Sequence, residues 1–162
     1  SIITKLAQYD NLIVIRTLSK AFGLAGCRVG YGVAQKEVID ALGLTKLVYN
    51  MNILSQNAAL AAMDYADDIL AHNIPPTLAA RQHFMDALKD VPNLTVYPSA
   101  TNFVLVRVPD GPAMVKALHD ADICVRSYKA ADLKNCLRIT ITTDDVVRRV
   151  VAVMTEEAKK YA

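Results

Sequence analysis

Lys20 has hydroxyl residues before it, Thr17 and Ser19, and an arginine eight positions after it, Arg28, with Gly23 and Gly26 in between. A lysine amine attacks a carbonyl carbon only after losing its proton, and a nearby cation together with partial burial favours that loss. An arginine fork grips phosphate or carboxylate oxygens through parallel hydrogen bonds, and serine and threonine hydroxyls add further donors. The two glycines let the backbone turn tightly between amine and guanidinium. A bare Ser-Lys pair is ordinarily a solvated loop, so it is the surrounding residues 17–31 that point to chemistry. Two other phosphate-binding patterns are absent: there is no G-x-x-x-x-G-K-[ST], and Gly26, Gly30 and Gly32 do not have the dinucleotide G-x-G-x-x-G spacing.

A second concentration of charge lies near the end of the chain. If residues 136–141 form a strand, Leu137, Ile139 and Ile141 face one way and Cys136, Arg138 and Thr140 the other. The preceding strand pattern, 123–126, ends with Arg126 on the face opposite Ile123 and Val125. Two neighbouring strands of one small sheet would then offer two guanidinium groups to a common anion. The plainer reading is that each arginine is solvated or ion-paired.

Several elements must position these residues. The pattern predicts a short helix over 1–9, then an apolar strand over 11–16 buried on both faces. A turn over 17–26 leads to a strand over 28–33, a helix over 35–44 and an irregular stretch over 45–54. A long helix is expected over 55–72 with Ser55 as its N-cap, Pro75 and Pro76 are expected to break the chain, and helical periodicity resumes over 77–88. Strands follow over 94–97 and 102–108, a helix over 111–120, strands over 123–126 and 136–142, and a helix over 144–160. That last helix stripes Val147, Val150, Val151, Met154 and Ala158 along one face, and Asp144 and Asp145 suit its positive amino end. Residues 94–162 thus read as a compact α/β unit, whereas the first 50 or so look like strands of a larger sheet.

Composition excludes some partners. A formal charge of +2 is too balanced for recognition of nucleic acid or a membrane surface by bulk electrostatics, and no apolar run approaches the ~20 residues that span a bilayer. Three cysteines, Cys27, Cys124 and Cys136, are odd in number and lack C-x-x-C spacing, which favours a reduced, cytoplasmic setting over a disulfide framework or a zinc site. His72, His83 and His119 are expected on separate helices without ligand spacing, so no metal is expected.

The run Thr17-Leu-Ser-Lys-Ala-Phe-Gly-Leu-Ala-Gly-Cys-Arg-Val-Gly-Tyr31 closely resembles the cofactor-lysine motif of fold-type I pyridoxal-phosphate-dependent aminotransferases of class I/II. In that motif Ser/Thr-x-Ser-Lys is followed by a glycine-rich turn and Arg-x-Gly-Tyr/Phe. The resemblance implies that Lys20 holds pyridoxal 5'-phosphate as a Schiff base and carries the proton between the substrate α-carbon and cofactor C4′. It also implies that Thr17, Ser19 and Arg28 bind the cofactor phosphate. The wording around Arg126 and Arg138 resembles the small-domain signature of histidinol-phosphate aminotransferases, which implies that both meet a substrate phosphate and that Arg138 also takes the glutamate carboxylate. Residues 101–105 and 47–52 resemble further family segments, the latter a loop near the subunit interface; the plain readings make Asn102 a strand cap and Tyr49 a core residue. Thr142 stands where a glycine is common in the family, and Val48 where a proline is.

The fold so implied is α/β: the end of the large cofactor-binding domain over 1–54, connecting helices over 55–93, and a small C-terminal α/β sandwich domain over 94–162. The implied reaction is amino-group transfer between histidinol phosphate and 2-oxoglutarate in a homodimer. The alternatives are another class I/II aminotransferase, a phosphoamino-acid decarboxylase, or, in a different class, a non-catalytic remnant or binding module. In the family, the acid that pairs with the pyridine nitrogen, the aromatic stacked on the ring and a glycine-rich helix start all precede the lysine, and only nineteen residues do so here. The isolated polypeptide is therefore expected to be an inactive, or nearly inactive, fragment.

Overall fold

The computed structural model describes residues 1–162. Its contacts divide the chain into two units, Ser1–Asn73 and Ile74–Ala162. In the first, a 3-10 helix at Ile2–Gln8 precedes strand β1, Val14–Thr17, and a short 3-10 turn at Ala25–Cys27 precedes strand β2, Gly30–Val33. The two strands pair antiparallel, Val14 opposite Val33 and Thr17 opposite Gly30. Helices α1, Lys36–Thr45, and α2, Ile53–Asp64, follow, and α3, Ala66–Leu88, begins here.

The expected strand buried on both faces is corrected. Within β1 only Val14 is buried, and Ile15 is 79% exposed. A two-stranded ribbon has no third strand and no covering layer in this unit, so the apolar run has nothing to bury against. The buried residues instead sit at one end of the ribbon, where Leu18 and Val29 meet Ala59 of α2, with Phe22, Leu24 and Cys27 packed around them.

Two helix boundaries also differ from expectation. Asn52, not Ser55, caps α2: its Oδ1 accepts from the Ser55 amide at 2.8 Å, and its Nδ2 donates to Ser55 Oγ at 3.0 Å. Asparagine serves at this position because its short acceptor reaches a free amide of the first turn. The helix then breaks at Tyr65 rather than at the prolines, and α3 runs through Pro75 and Pro76. Each proline lacks the amide that would bond to the carbonyl of Ala71 or His72, and both of those residues are exposed. His72 and His83 consequently share one helix.

The second unit is an antiparallel sheet in the order β3-β4-β6-β5, with β3 at Thr95–Val96, β4 at Phe103–Arg107, β5 at Arg126–Ser127 and β6 at Cys136–Thr140. Helices α4, Gly111–Asp120, and α5, Asp144–Lys159, complete it. Val104 and Val106 of β4 pair with Ile139 and Leu137 of β6, and these four face a core filled by Phe84, Leu88, Met114, Leu118, Val147, Val150 and Met154. Each large apolar side chain so buried contributes about 1.5–3 kcal/mol. Strand β5 is shorter than expected because Ile123 is taken up in the exit from α4, where its amide bonds to the Leu118 carbonyl at 2.9 Å and Asp122 adopts φ 59°. Asn135 fixes the start of β6: its Nδ2 donates to the Pro109 carbonyl at 3.0 Å, its Oδ1 accepts from the Gly111 amide at 3.2 Å, and its carbonyl accepts from Val108 at 2.8 Å.

At the amino end of α5, Asp144 ties two helices together. One carboxylate oxygen lies 2.6 Å from His83 Nδ1 on α3, and the other accepts from Arg148 Nε at 2.7 Å. The His83 contact first, and the Arg148 bond second, hold the Asp144 carboxyl below the ordinary carboxylate range. A group with a depressed folded-state pKa stabilises above its unfolded value, about 3.9 for aspartate, and that stabilisation fades as pH falls through the folded value. Thermal melts of wild type and Asp144→Asn should therefore differ most near neutral pH and converge as pH drops from about 5 toward 3. Equal separation at both ends of that range would show that the tether contributes nothing.

Candidate functional site

The lysine turn is closed by backbone bonds at its base. Just beyond the Thr17–Gly30 pair, the Leu18 amide donates to the Val29 carbonyl at 3.1 Å, and the Leu18 carbonyl accepts from Leu24 at 3.1 Å. Leu18 and Val29 are both buried, so the residues next to them, Ser19 and Lys20 on one side and Arg28 on the other, are held at the same end of the ribbon. The Lys20 carbonyl accepts from the Gly23 amide at 2.9 Å, which Gly23 permits with φ +70°. Asn73 anchors the turn further through a 2.9 Å bond from its Nδ2 to the Ala21 carbonyl.

The expected donors are present on this frame. Thr17 Oγ1 donates to Ser19 Oγ at 2.9 Å and accepts from the Ser19 amide at 3.1 Å, so the two hydroxyls are brought together. Arg28 is exposed and adopts φ 56°, ψ 39°, the left-handed region that a residue with a side chain rarely occupies. Gly26, expected to supply that freedom, lies instead inside the 3-10 turn, and Arg28 itself takes the strained position. Such a conformation costs about 1–3 kcal/mol and concentrates at functional sites. One Arg28 terminal nitrogen, Nη1, donates to the Ala25 carbonyl at 3.0 Å, and the rest of the fork has no protein partner. Lys20 is exposed, so this unit does not supply the partial burial expected to help neutralise its amine.

The arginine pair is placed by strand register. Arg126 of β5 stands directly opposite Arg138 of β6, and on the other side Arg138 opposes Leu105 of β4. Directly opposed residues share a sheet face, and this face lies away from the Leu137–Ile139 core side. Like charges directly opposite destabilise a sheet unless something neutralises them. Neither guanidinium forms an ion pair or hydrogen bond with the protein, and Arg138 Nε is buried without a partner.

Sequence reasoning missed two neighbours on that face. Phe103 lies under Arg138, with the guanidinium carbon 5.2 Å from the ring centroid. Arg107 donates from Nε to the Tyr97 hydroxyl at 3.2 Å and from Nη2 to the Asp132 carbonyl at 3.1 Å. Period-two alternation through Phe103, Leu105 and Arg107, laid against Arg138, is the signal that locates both. The core reading of Tyr49 is overturned, since it is 95% exposed and follows the exposed Leu47 and Val48. The Asn102 carbonyl accepts from the Ile141 amide at 2.9 Å, an edge bond that continues the β4–β6 pairing.

Comparison with known proteins gives consistent likenesses. A profile of the family Aminotransferase class I and II matches residues 1–154. The histidinol-phosphate aminotransferase of Thermoanaerobacter sp. (strain X514) is 42% identical over 144 residues, which make up 88% of this chain and 40% of that protein. The crystal structure of histidinol-phosphate aminotransferase from Sinorhizobium meliloti, in complex with pyridoxal-5'-phosphate, superposes with a TM-score of 0.74 at 30% identity, covering 99% of this chain and 44% of that one. A decarboxylase from Sulfurospirillum multivorans superposes with a TM-score of 0.82 at 26% identity, covering 98% and 47% respectively. The chain thus spans about 40% of the length of the curated relatives it matches. No helix is long and apolar enough to cross a membrane.

The ribbon that carries the lysine turn tolerates no side chain at Gly30, where an added Cβ would stand 2.7 Å from the Arg16 carbonyl oxygen of the partner strand. Gly30→Ala should therefore weaken the β1–β2 pairing by about 1–3 kcal/mol in urea unfolding, the usual cost of overpacking. Gly32→Ala, with nothing within 4 Å of its added Cβ, is the control and should change little. Equal effects of the two substitutions would contradict the close approach.

Proposed function

The chain belongs to the class I and II aminotransferase family, and on that premise we propose that its protein transfers an amino group between histidinol phosphate and 2-oxoglutarate. The observation that carries this reading is the directly opposed, unneutralised pair of Arg126 and Arg138, a cationic face suited to a multiply charged anion. The 42% identity to a protein named histidinol-phosphate aminotransferase supports the same substrate.

The cofactor is pyridoxal 5'-phosphate, the group bound in the Sinorhizobium meliloti relative. When bound it supplies an aldehyde carbon for amine capture and a ring that accepts the electron pair released at the substrate α-carbon. The residues of the lysine turn fit it: two adjacent hydroxyls and a guanidinium with unused donors suit a phosphate, and a primary amine stands in the same turn. In this proposal Thr17, Ser19 and Arg28 hold the phosphate through charge-assisted hydrogen bonds. Lys20 would hold the cofactor at its aldehyde carbon through Nζ, and the same nitrogen would accept and return the substrate α-proton. Arg126 and Arg138 bind the substrate phosphate, and Arg138 also takes the carboxylate of the oxo acid.

The wider reading assigns residues 1–54 to a cofactor-binding large domain, 55–93 to connecting helices and 94–162 to a small domain, in a cytoplasmic homodimer. The odd number of cysteines, Cys27, Cys124 and Cys136, and their lack of C-x-x-C spacing support a reducing setting, and the exposed run of Leu47, Val48 and Tyr49 supports a covered surface in an assembly. A second reading, decarboxylation of a phosphorylated amino acid, draws on the likeness to the Sulfurospirillum multivorans decarboxylase. The 162-residue polypeptide by itself is proposed to turn over little or no substrate.

Two measurements test these assignments. Pyridoxal phosphate added to a longer version of the polypeptide should give an absorbance band that disappears in Lys20→Ala, with turnover falling about 10²–10⁴-fold or more. A non-catalytic binding module would give no such band at any length. Arg126→Ala should lower kcat/KM for phosphorylated substrates about 10–100-fold, the loss expected for one charge-assisted contact, while sparing unphosphorylated amino acids. A uniform loss across both substrate classes would remove the phosphate role, and release of carbon dioxide without amino transfer would favour the decarboxylase.

A further inference from the structure

We propose that Phe103 is a positioning residue for anion recognition: its ring sets the plane and reach of the Arg138 guanidinium. The inference rests on the reading of Arg138 as the group that binds substrate anions. Phe103 lies on β4 two residues from Leu105, the direct partner of Arg138, so ring and guanidinium meet across a diagonal pair. The 5.2 Å separation from guanidinium carbon to ring centroid is within the range of cation–π attraction. Arginine, being planar, also stacks on such a face, which a lysine would not do.

The surroundings explain why a support is needed. Arg126 stands directly across from Arg138 with the same charge, and no acidic side chain pairs with either. Left alone, a long side chain in that position would turn away from its neighbour toward solvent. The ring beneath holds the guanidinium in place, with Nε buried and unpartnered and the terminal nitrogens without protein bonds. Those terminal donors are presented as a pair, the arrangement a phosphate or carboxylate accepts.

The test uses the complete cofactor-loaded enzyme and three variants. Phe103→Leu keeps an apolar side chain but removes the π face, and should raise KM for both the phosphorylated donor and the 2-oxo acid about 5–10-fold, with kcat changed less than about twofold. The inhibition constant for inorganic phosphate should rise in step, and Phe103→Tyr should restore both constants. Arg138→Ala separates the levels of the argument. If it leaves KM and phosphate inhibition unchanged, the anion-binding role of Arg138 and this inference fall together. If it raises both while Phe103→Leu does not, the inference alone is overturned. A fall in kcat or in melting temperature for Phe103→Leu, with KM unchanged, would also overturn it in favour of a purely structural ring.

Discussion

The antiparallel pairing of β6 with both of its neighbours is the constraint on which the second unit depends. One register decides two things at once: it turns Leu137 and Ile139 toward Phe84, Leu118 and Met154, and it turns Arg138 toward Arg126 and Phe103. A slip of one residue would exchange the faces, putting a guanidinium in the core and leucine on the charged side. The core therefore protects the charged face, because the energy of burying the apolar side chains is what forbids the slip. Asn135, bonded to three backbone groups around the start of β6, sets that register from the loop end.

The first unit uses a different device. It has a small core, and its lysine turn is held chiefly by backbone hydrogen bonds between Leu18, Val29 and Leu24, with Leu18, Val29 and Ala59 buried together. Of the polar side chains here, Thr17 and Arg28 also bond to the backbone of the loop, at the Ser19 amide and the Ala25 carbonyl, whereas Lys20 is exposed.

Much of this was legible in the sequence because period and chemistry agreed there. The alternation of Leu137, Arg138 and Ile139 located both faces of the sheet, and the stripe through Val147, Val150 and Met154 located the inner side of α5. The turn between β1 and β2 could be read from residue types, since hydroxyl residues and glycines between two short strand patterns favour a turn. The failures have physical causes. The apolar run ending at Arg16 looks like a buried strand from hydrophobicity alone, but burial depends on neighbours that local pattern does not contain. The prolines at 75 and 76 looked like a break, but the helix continues through them, with the residues one turn earlier, Ala71 and His72, exposed. Phe103 was overlooked because its contact with Arg138 arises only from a diagonal relation across two strands.

The left-handed backbone of Arg28 has a consequence for how this segment can vary. Glycine would adopt that conformation without penalty, and asparagine with little, so folding by itself favours either of them at position 28. A β-branched residue is strongly disfavoured there, and a shorter cation could not reach as far from the same bent main chain. The polypeptide is thus less stable at this point than a simpler residue would make it, and a screen for thermal tolerance alone would drift away from arginine, discarding the guanidinium proposed above to hold a phosphate.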